Sequence, residues 1–253
     1  MSGAGPVLDV DDLIASERES LRWGAVCAIA GGLLAIIGNV LHPRPEPTQI
    51  LDPAAYVHEV ADAPLWVFAH VDLIVVSILF LLAWVALAHS ISTSRAAGLA
   101  RFALAVALVD TIVHIITLII DGVVMRNAAD AYLTTPVDSQ PAALAAFGAL
   151  FQLLFGLFDG WELLWGFTFV LFGLAVVRSG SYPAWLGWIG VVGGVVLSAI
   201  GLTDIVIGST ELTFLALFPA AAAIVSVWLM AVGVLMWKRA SHLSIATTNR
   251  RLP

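Results

Sequence analysis

Six runs of apolar residues, over 22–41, 65–88, 102–124, 155–177, 184–206 and 213–236, alternate with short polar connections along the chain. Each run is about 20 residues or longer, enough as an α-helix to cross the ~30 Å hydrocarbon layer of a bilayer. Strands and the core helices of soluble domains are shorter than this. The pattern predicts an all-α polytopic membrane protein, a bundle of six transmembrane helices. Asp62-Ala63-Pro64 and Ser181-Tyr182-Pro183 open the second and fifth spans with a proline, where the first helical turn needs no backbone donor. Asp52-Pro53 predicts a short capped helix over 53–61, outside the membrane. The fourth apolar run reaches back to 143, and about 35 helical residues span roughly 50 Å, more than a membrane is thick. Either it bends near Gly156 or Gly160, or it projects as an amphipathic helix starting near Asp138 or Ser139; the projecting form is the expectation.

Composition explains why lipid must be the main solvent. Of 253 residues, 60% are hydrophobic and 11% charged, against about 25% charged in a soluble domain. The chain reads as a polar, acidic segment over 1–20 with no signal-peptide pattern, one membrane domain over 21–238, and a tail over 239–253. Cys27 is the single cysteine, so neither a disulfide nor a Cys-rich metal site is expected within the chain. A formal charge of −7 excludes a basic nucleic-acid footprint. Nine of the 11 basic residues fall in the set of segments that contains both termini, leaving Arg44 and Arg126 in the other. By the positive-inside rule the termini are expected in the cytoplasm, with the longer loops over 42–64 and 125–142 outside.

The fifth span carries a stripe of small residues, Gly187, Gly190, Gly194, Ser198 and Gly201, which lets helix backbones approach closely. Packing within the bundle is the expected use, and a homo-oligomer seam through Gly190 and Gly194 is the alternative. Between spans four and five runs Arg178-Ser179-Gly180-Ser181-Tyr182-Pro183-Ala184-Trp185-Leu186-Gly187-Trp188, and Phe218-Pro219 lies early in the last span. Over 145–237 this resembles a broad prokaryotic family of small multi-span membrane proteins of unknown function. The resemblance implies a multi-pass protein of a prokaryotic plasma membrane and lends it no activity.

The chemistry of interest is ionisable and intramembrane. Such groups cost roughly 2.5–3.5 kcal/mol each on insertion scales and mark functional sites by default. The third span contains Asp110, His114 and Asp121; at 100° per residue His114 lies about 40° from Asp110 and Asp121 about 20° from it, so all share one face. The fourth span adds Asp159 and Glu162, the second His70, and the first ends at His42, with Asp204 near the end of the fifth. At 1.5 Å per residue, His70, Asp121 and Glu162 all sit roughly 9–12 Å from the midplane toward the side away from the termini. These positions predict one pocket open to the outside.

Several chemistries fit. Imidazoles and carboxylates suit zinc or another divalent metal, with His42, His70 and His114 as ligands and Asp121 or Glu162 as general base. Asp110, Asp159 and Asp204 would line the same pocket. Haem between His70 and His114 is a weaker fit, since no haem-attachment motif is present. Acids and histidines satisfying one another around a wet vestibule need no ligand at all. The partners expected are membrane lipid and a small amphipathic ligand. The enzymatic version is a membrane-embedded hydrolase or lipid-modifying enzyme; a transporter component or a non-catalytic accessory subunit are the alternatives. The nine tryptophans, among them Trp66, Trp161, Trp165, Trp185 and Trp237, are expected to serve mostly as interface anchors.

Overall fold

The computed structural model describes residues 10–43 and 52–250, with side chains described to 243; Arg44, Arg250 and Arg251 of the charge count lie outside these limits. The described chain is helical almost throughout, and no strand occurs among the described residues. Six helical segments are long and apolar enough to span a membrane: α1 (Val10–Leu41), α3 (Trp66–Ser90), α4 (Ala97–Ile119) with its continuation, α6 (Gln140–Ser179), α7 (Ala184–Ile207) and α8 (Phe218–Arg250). The short helix α2 (Pro53–Asp62) precedes α3, and α5 (Arg126–Thr134) prolongs α4.

Local chemistry sets the ends. Asp52 caps α2 by accepting from Ala54 N at 2.9 Å, with Pro53 in the first turn. α6 stops at Gly180, whose φ of 68° is the left-handed conformation a side chain would disfavour. α6 runs for 40 residues with no break at Gly156 or Gly160, as the projecting form requires. Helices α1 and α8 pass without a break through residues 20 and 238, where sequence alone placed the edges of the membrane domain. Their ends at the terminal side are tied by Arg239 Nη2 to Glu17 Oε1 at 2.7 Å.

Each span packs on the next in sequence, and α8 closes the ring by packing on both α7 and α1. The faces turned away carry apolar stripes at helical spacing, such as Val71, Val75, Ile78, Leu82 and Val85 on α3 and Leu108, Ile112, Ile116 and Ile119 on α4, all exposed. Stripes of that kind need lipid. The end of the ring near the termini is filled: Trp84 stacks on Phe172 at 4.4 Å and meets Phe169 edge-on at 5.1 Å, with Trp228 5.8 Å away. Aromatic pairs in these geometries contribute about 0.5–1.5 kcal/mol each beyond their burial. The opposite end is not filled by side chains but roofed, by α2, α5 and the projecting start of α6, joined in a second apolar core of Tyr56, Val57, Val60, Met125, Phe147 and Phe151.

The tryptophans divide. Trp23, Trp185, Trp188 and Trp237 are exposed, as interface anchors are, and Trp66, Trp161 and Trp165 are buried in the bundle. For those three the anchoring expectation is corrected: facing inward, an indole serves packing and hydrogen bonding.

Candidate functional site

A cavity of about 170 Å³ occupies the roofed half of the ring, lined by apolar side chains such as Leu73, Phe80, Leu118, Phe155 and Phe218. Its polar lining includes His42, Asn39, Tyr56, Glu59, His114 and Asp121.

The end of α1, the start of α3 and the end of α4 bring three ligand-type groups together. His70 Nε2 lies 2.9 Å from Asp121 Oδ2 and 3.3 Å from His42 Nε2, and the three residues offer ligand atoms all within 4.8 Å of one another. Each group is oriented from behind. His42 Nδ1 lies 2.7 Å from the Pro43 carbonyl and His70 Nδ1 2.7 Å from the Trp66 carbonyl, so both imidazoles donate their one neutral-state proton to backbone. Both Nε2 atoms then present lone pairs. Tyr56 donates to Asp121 Oδ1 at 2.7 Å and Trp66 Nε1 to the Asp121 carbonyl at 2.9 Å. Three acceptors thus converge on one point, and only a cation, proton or metal, reconciles them.

Local backbone geometry makes the approach possible. After Ile119 the helix widens into a π turn, Ile120–Met125, a feature that re-aims side chains and often marks functional sites. Gly122 within it lies against the His70 side chain, leaving no room for a Cβ. Arg126 then reaches back to the Val60 and Ala63 carbonyls at 3.1 and 3.2 Å, fixing the C-terminal end of α2 over the cavity.

The other residues singled out in the sequence are distributed otherwise. His114 lines the cavity but stands apart from the His42–His70–Asp121 set: its Nδ1 meets Ser77 Oγ at 2.9 Å and its ring stacks on Trp161 at 3.8 Å, planes 6° apart. The His70–His114 pair considered for haem faces two different partners. Asp110 is buried and accepts from Thr168 at 3.3 Å. Glu162, expected beside Asp121, instead gathers with Asp159 and Asp204 between α6 and α7. The expected single pocket is therefore corrected to two clusters, because α6 turns Phe158 and Trp161 toward the cavity and Asp159 and Glu162 toward α7. Neighbouring positions on one helix differ by 100°.

Sequence reasoning passed over Tyr56 and Glu59. Their i, i+3 spacing on a short amphipathic helix following Asp52-Pro53 was the available signal. Glu59 lines the cavity with one carboxylate oxygen buried and lacking a hydrogen-bond partner. Burial, and then the charge of Asp121, push its pKa up to about 7; the same two causes raise Tyr56 well above the usual phenol range. A carboxyl whose folded pKa exceeds its unfolded value opposes folding once ionised. The metal-free protein should therefore lose stability as pH rises from about 4.5 to about 7. Glu59→Gln should flatten that part of the profile, as read from melting temperatures in detergent across the range. A wild-type slope retained in the variant would mean that Glu59 is not its source.

Together these features define a multi-pass α-helical membrane protein with a roofed intramembrane cavity and a histidine–carboxylate cluster at its polar end. The chain belongs to the family described as a domain of unknown function (DUF4386), whose model matches residues 21–233 and so reaches into all six spans and takes in both clusters. Neither a curated protein nor a solved structure matches the chain.

Proposed function

We propose that the protein is a membrane-embedded metalloprotein that holds zinc through His42, His70 and Asp121 and receives the apolar part of an amphipathic ligand in the adjoining cavity. The supporting observation is the convergence of two imidazole Nε2 atoms and a carboxylate oxygen, each held from behind by a hydrogen bond. Tetrahedral zinc with bonds of about 2.0 Å separates its ligand atoms by about 3.3 Å; His70 lies 2.9 and 3.3 Å from the other two ligand atoms here, and all three lie within 4.8 Å of one another. The backbone carbonyls behind the histidines and the phenol behind Asp121 are the outer-shell partners that fix tautomer and orientation in such sites.

Three protein ligands leave a position for water or substrate, the pattern of catalytic zinc. Bound zinc would supply Lewis acidity toward a carbonyl or phosphoryl oxygen. Glu59, on the cavity wall with one buried carboxylate oxygen that no hydrogen bond engages, is placed to carry a proton there. The reading is a hydrolase or lipid-modifying enzyme acting on a lipid-like molecule, its chain among Phe155, Phe158 and Phe218 and its head at His42 and Asp121. Elemental analysis of protein purified without chelator tests the metal directly: about one zinc per chain is expected, and protein that stays zinc-free when supplied with the metal would overturn the reading.

The site is assigned to the external side of a prokaryotic plasma membrane. Support comes from the basic residues, with Arg95 and Arg178 in the connections on the terminal side. Reporter fusions after Arg95 and Arg178 should read cytoplasmic, and fusions near Asp130 and Glu211 external. A reversed site among the four would refute this orientation.

A further inference from the structure

Asp159, Glu162 and Asp204 form a cluster that the histidine site does not use. Asp159 and Glu162 sit one turn apart on α6, and Asp204 faces them from α7. All three are buried, with relative exposures of 7%, 1% and 4%, and offer ligand oxygens within 4.8 Å of one another. The approach is enforced by Gly201, where a Cβ would meet the Leu163 amide nitrogen at 2.5 Å and the Asp159 carbonyl at 2.9 Å. One oxygen of Glu162 and one of Asp204 are buried with no hydrogen-bond partner. Among the described residues no lysine or arginine forms an ion pair with any of the three. Three carboxylates this close and this dry cannot all ionise without a counter-cation.

We propose that Asp159, Glu162 and Asp204 bind a hard divalent cation of the calcium type, at a second site chemically distinct from the histidine site. All the donors are oxygen, the set preferred by calcium, magnesium and manganese and not by zinc. Hydroxyls stand ready to add to it: Ser209 Oγ donates to Asp159 Oδ1 at 3.0 Å, and the Thr213 hydroxyl lies beside Asp204. With Ca–O bonds of 2.3–2.6 Å, ligands of one calcium lie at most about 5 Å apart, which accommodates the observed spread. Burial selects within the hard cations. Magnesium gives up its water reluctantly and demands octahedral regularity, whereas calcium accepts irregular, dehydrated oxygen sets. The bound ion would join α6 to α7 and to the start of the loop that follows α7, bracing the wall that also carries Phe158 and Trp161 into the cavity.

The test is calcium titration of the full-length, chelator-stripped protein in detergent, read by calorimetry and by melting temperature. One saturable calcium per chain is expected, at least tenfold tighter than magnesium, with a melting temperature that rises with calcium concentration. Glu162→Gln and Asp204→Asn, which keep side-chain shape, should each weaken calcium binding at least tenfold. His70→Ala should leave it unchanged while removing zinc, so failure of one site is distinguishable from failure of the other. Should the variants not fold, the wild-type melting shift decides alone. No saturable binding by the wild type up to millimolar calcium would overturn the proposal. So would equal binding by folded Glu162→Gln.

Discussion

Replacing His70 by alanine is expected to strip the protein of zinc, lowering affinity by at least about a hundredfold. His70 is central to the constellation: its Nε2 faces both Asp121 Oδ2 and His42 Nε2, and its exposure is 1%. Losing one of the three proposed zinc ligands would remove a bond and also leave Asp121 with one fewer charge-assisted partner. Asp121→Ala should act as strongly, and Tyr56→Phe more mildly, about tenfold, since it removes only the bond that orients the carboxylate. His58→Ala, on the same short helix as Tyr56 but outside the constellation, should leave zinc unchanged. Zinc per chain by elemental analysis after dialysis against a weak chelator is the measurement. Equal zinc in His70→Ala and wild type would remove His70 from the ligand set. His114→Ala discriminates further, because His114 binds Ser77 and stacks on Trp161, and its loss should spare the metal.

Gly194→Leu is expected to destabilise the protein by about 3 kcal/mol. A Cβ there would meet the Gly166 carbonyl oxygen at 2.5 Å and the Val170 amide nitrogen at 2.6 Å. Backbone cannot swing aside as a flexible side chain can, so the two helices must separate along their length. Gly190 fits against the Trp228 indole, at 2.9 Å, so the small-residue stripe of α7 is engaged inside its own chain. Gly160→Ala supplies the contrast: nothing lies within 4 Å of its added carbon, and a helix-interior glycine exchanged for alanine gains about 0.5–1 kcal/mol. Denaturation midpoints in mixed detergent should fall for Gly194→Leu and hold or rise for Gly160→Ala. A Gly194→Leu protein as stable as wild type would mean that α6 and α7 do not pack as described.

The spans were legible because lipid imposes a simple requirement: every membrane-crossing segment must be long, apolar and internally hydrogen-bonded. The runs around Leu82, Ile112 and Val192 state that requirement residue by residue. Asp52-Pro53, Gly180 and Pro183 were legible for a similar reason, since caps and turns depend on immediate neighbours. Depth was legible too, because helical rise is constant, and it placed His42, His70 and Asp121 in the same half of the bundle.

Grouping was a different matter. A helix-phase count treats the third span as regular, but the π turn at Ile120–Met125 changes the phase after Ile119. Equal depth also does not mean shared space: helical rise puts Asp121 and Glu162 at similar heights, yet α6 turns its aromatic face toward the cavity and Glu162 toward α7. His114 belongs with Ser77 and Trp161, Glu162 with Asp159 and Asp204, and the extramembrane Tyr56 with Asp121. The sequence by itself determined that this chain forms six helices long and apolar enough to cross a membrane, with acids and histidines toward the end away from the termini. Both follow from local length, polarity and rise. Which of those groups meet was decided only by tertiary structure, because it depends on how each helix is rotated about its axis. That rotation is set by distant contacts such as Gly194 on Gly166, Gly201 on Leu163 and Gly122 on His70.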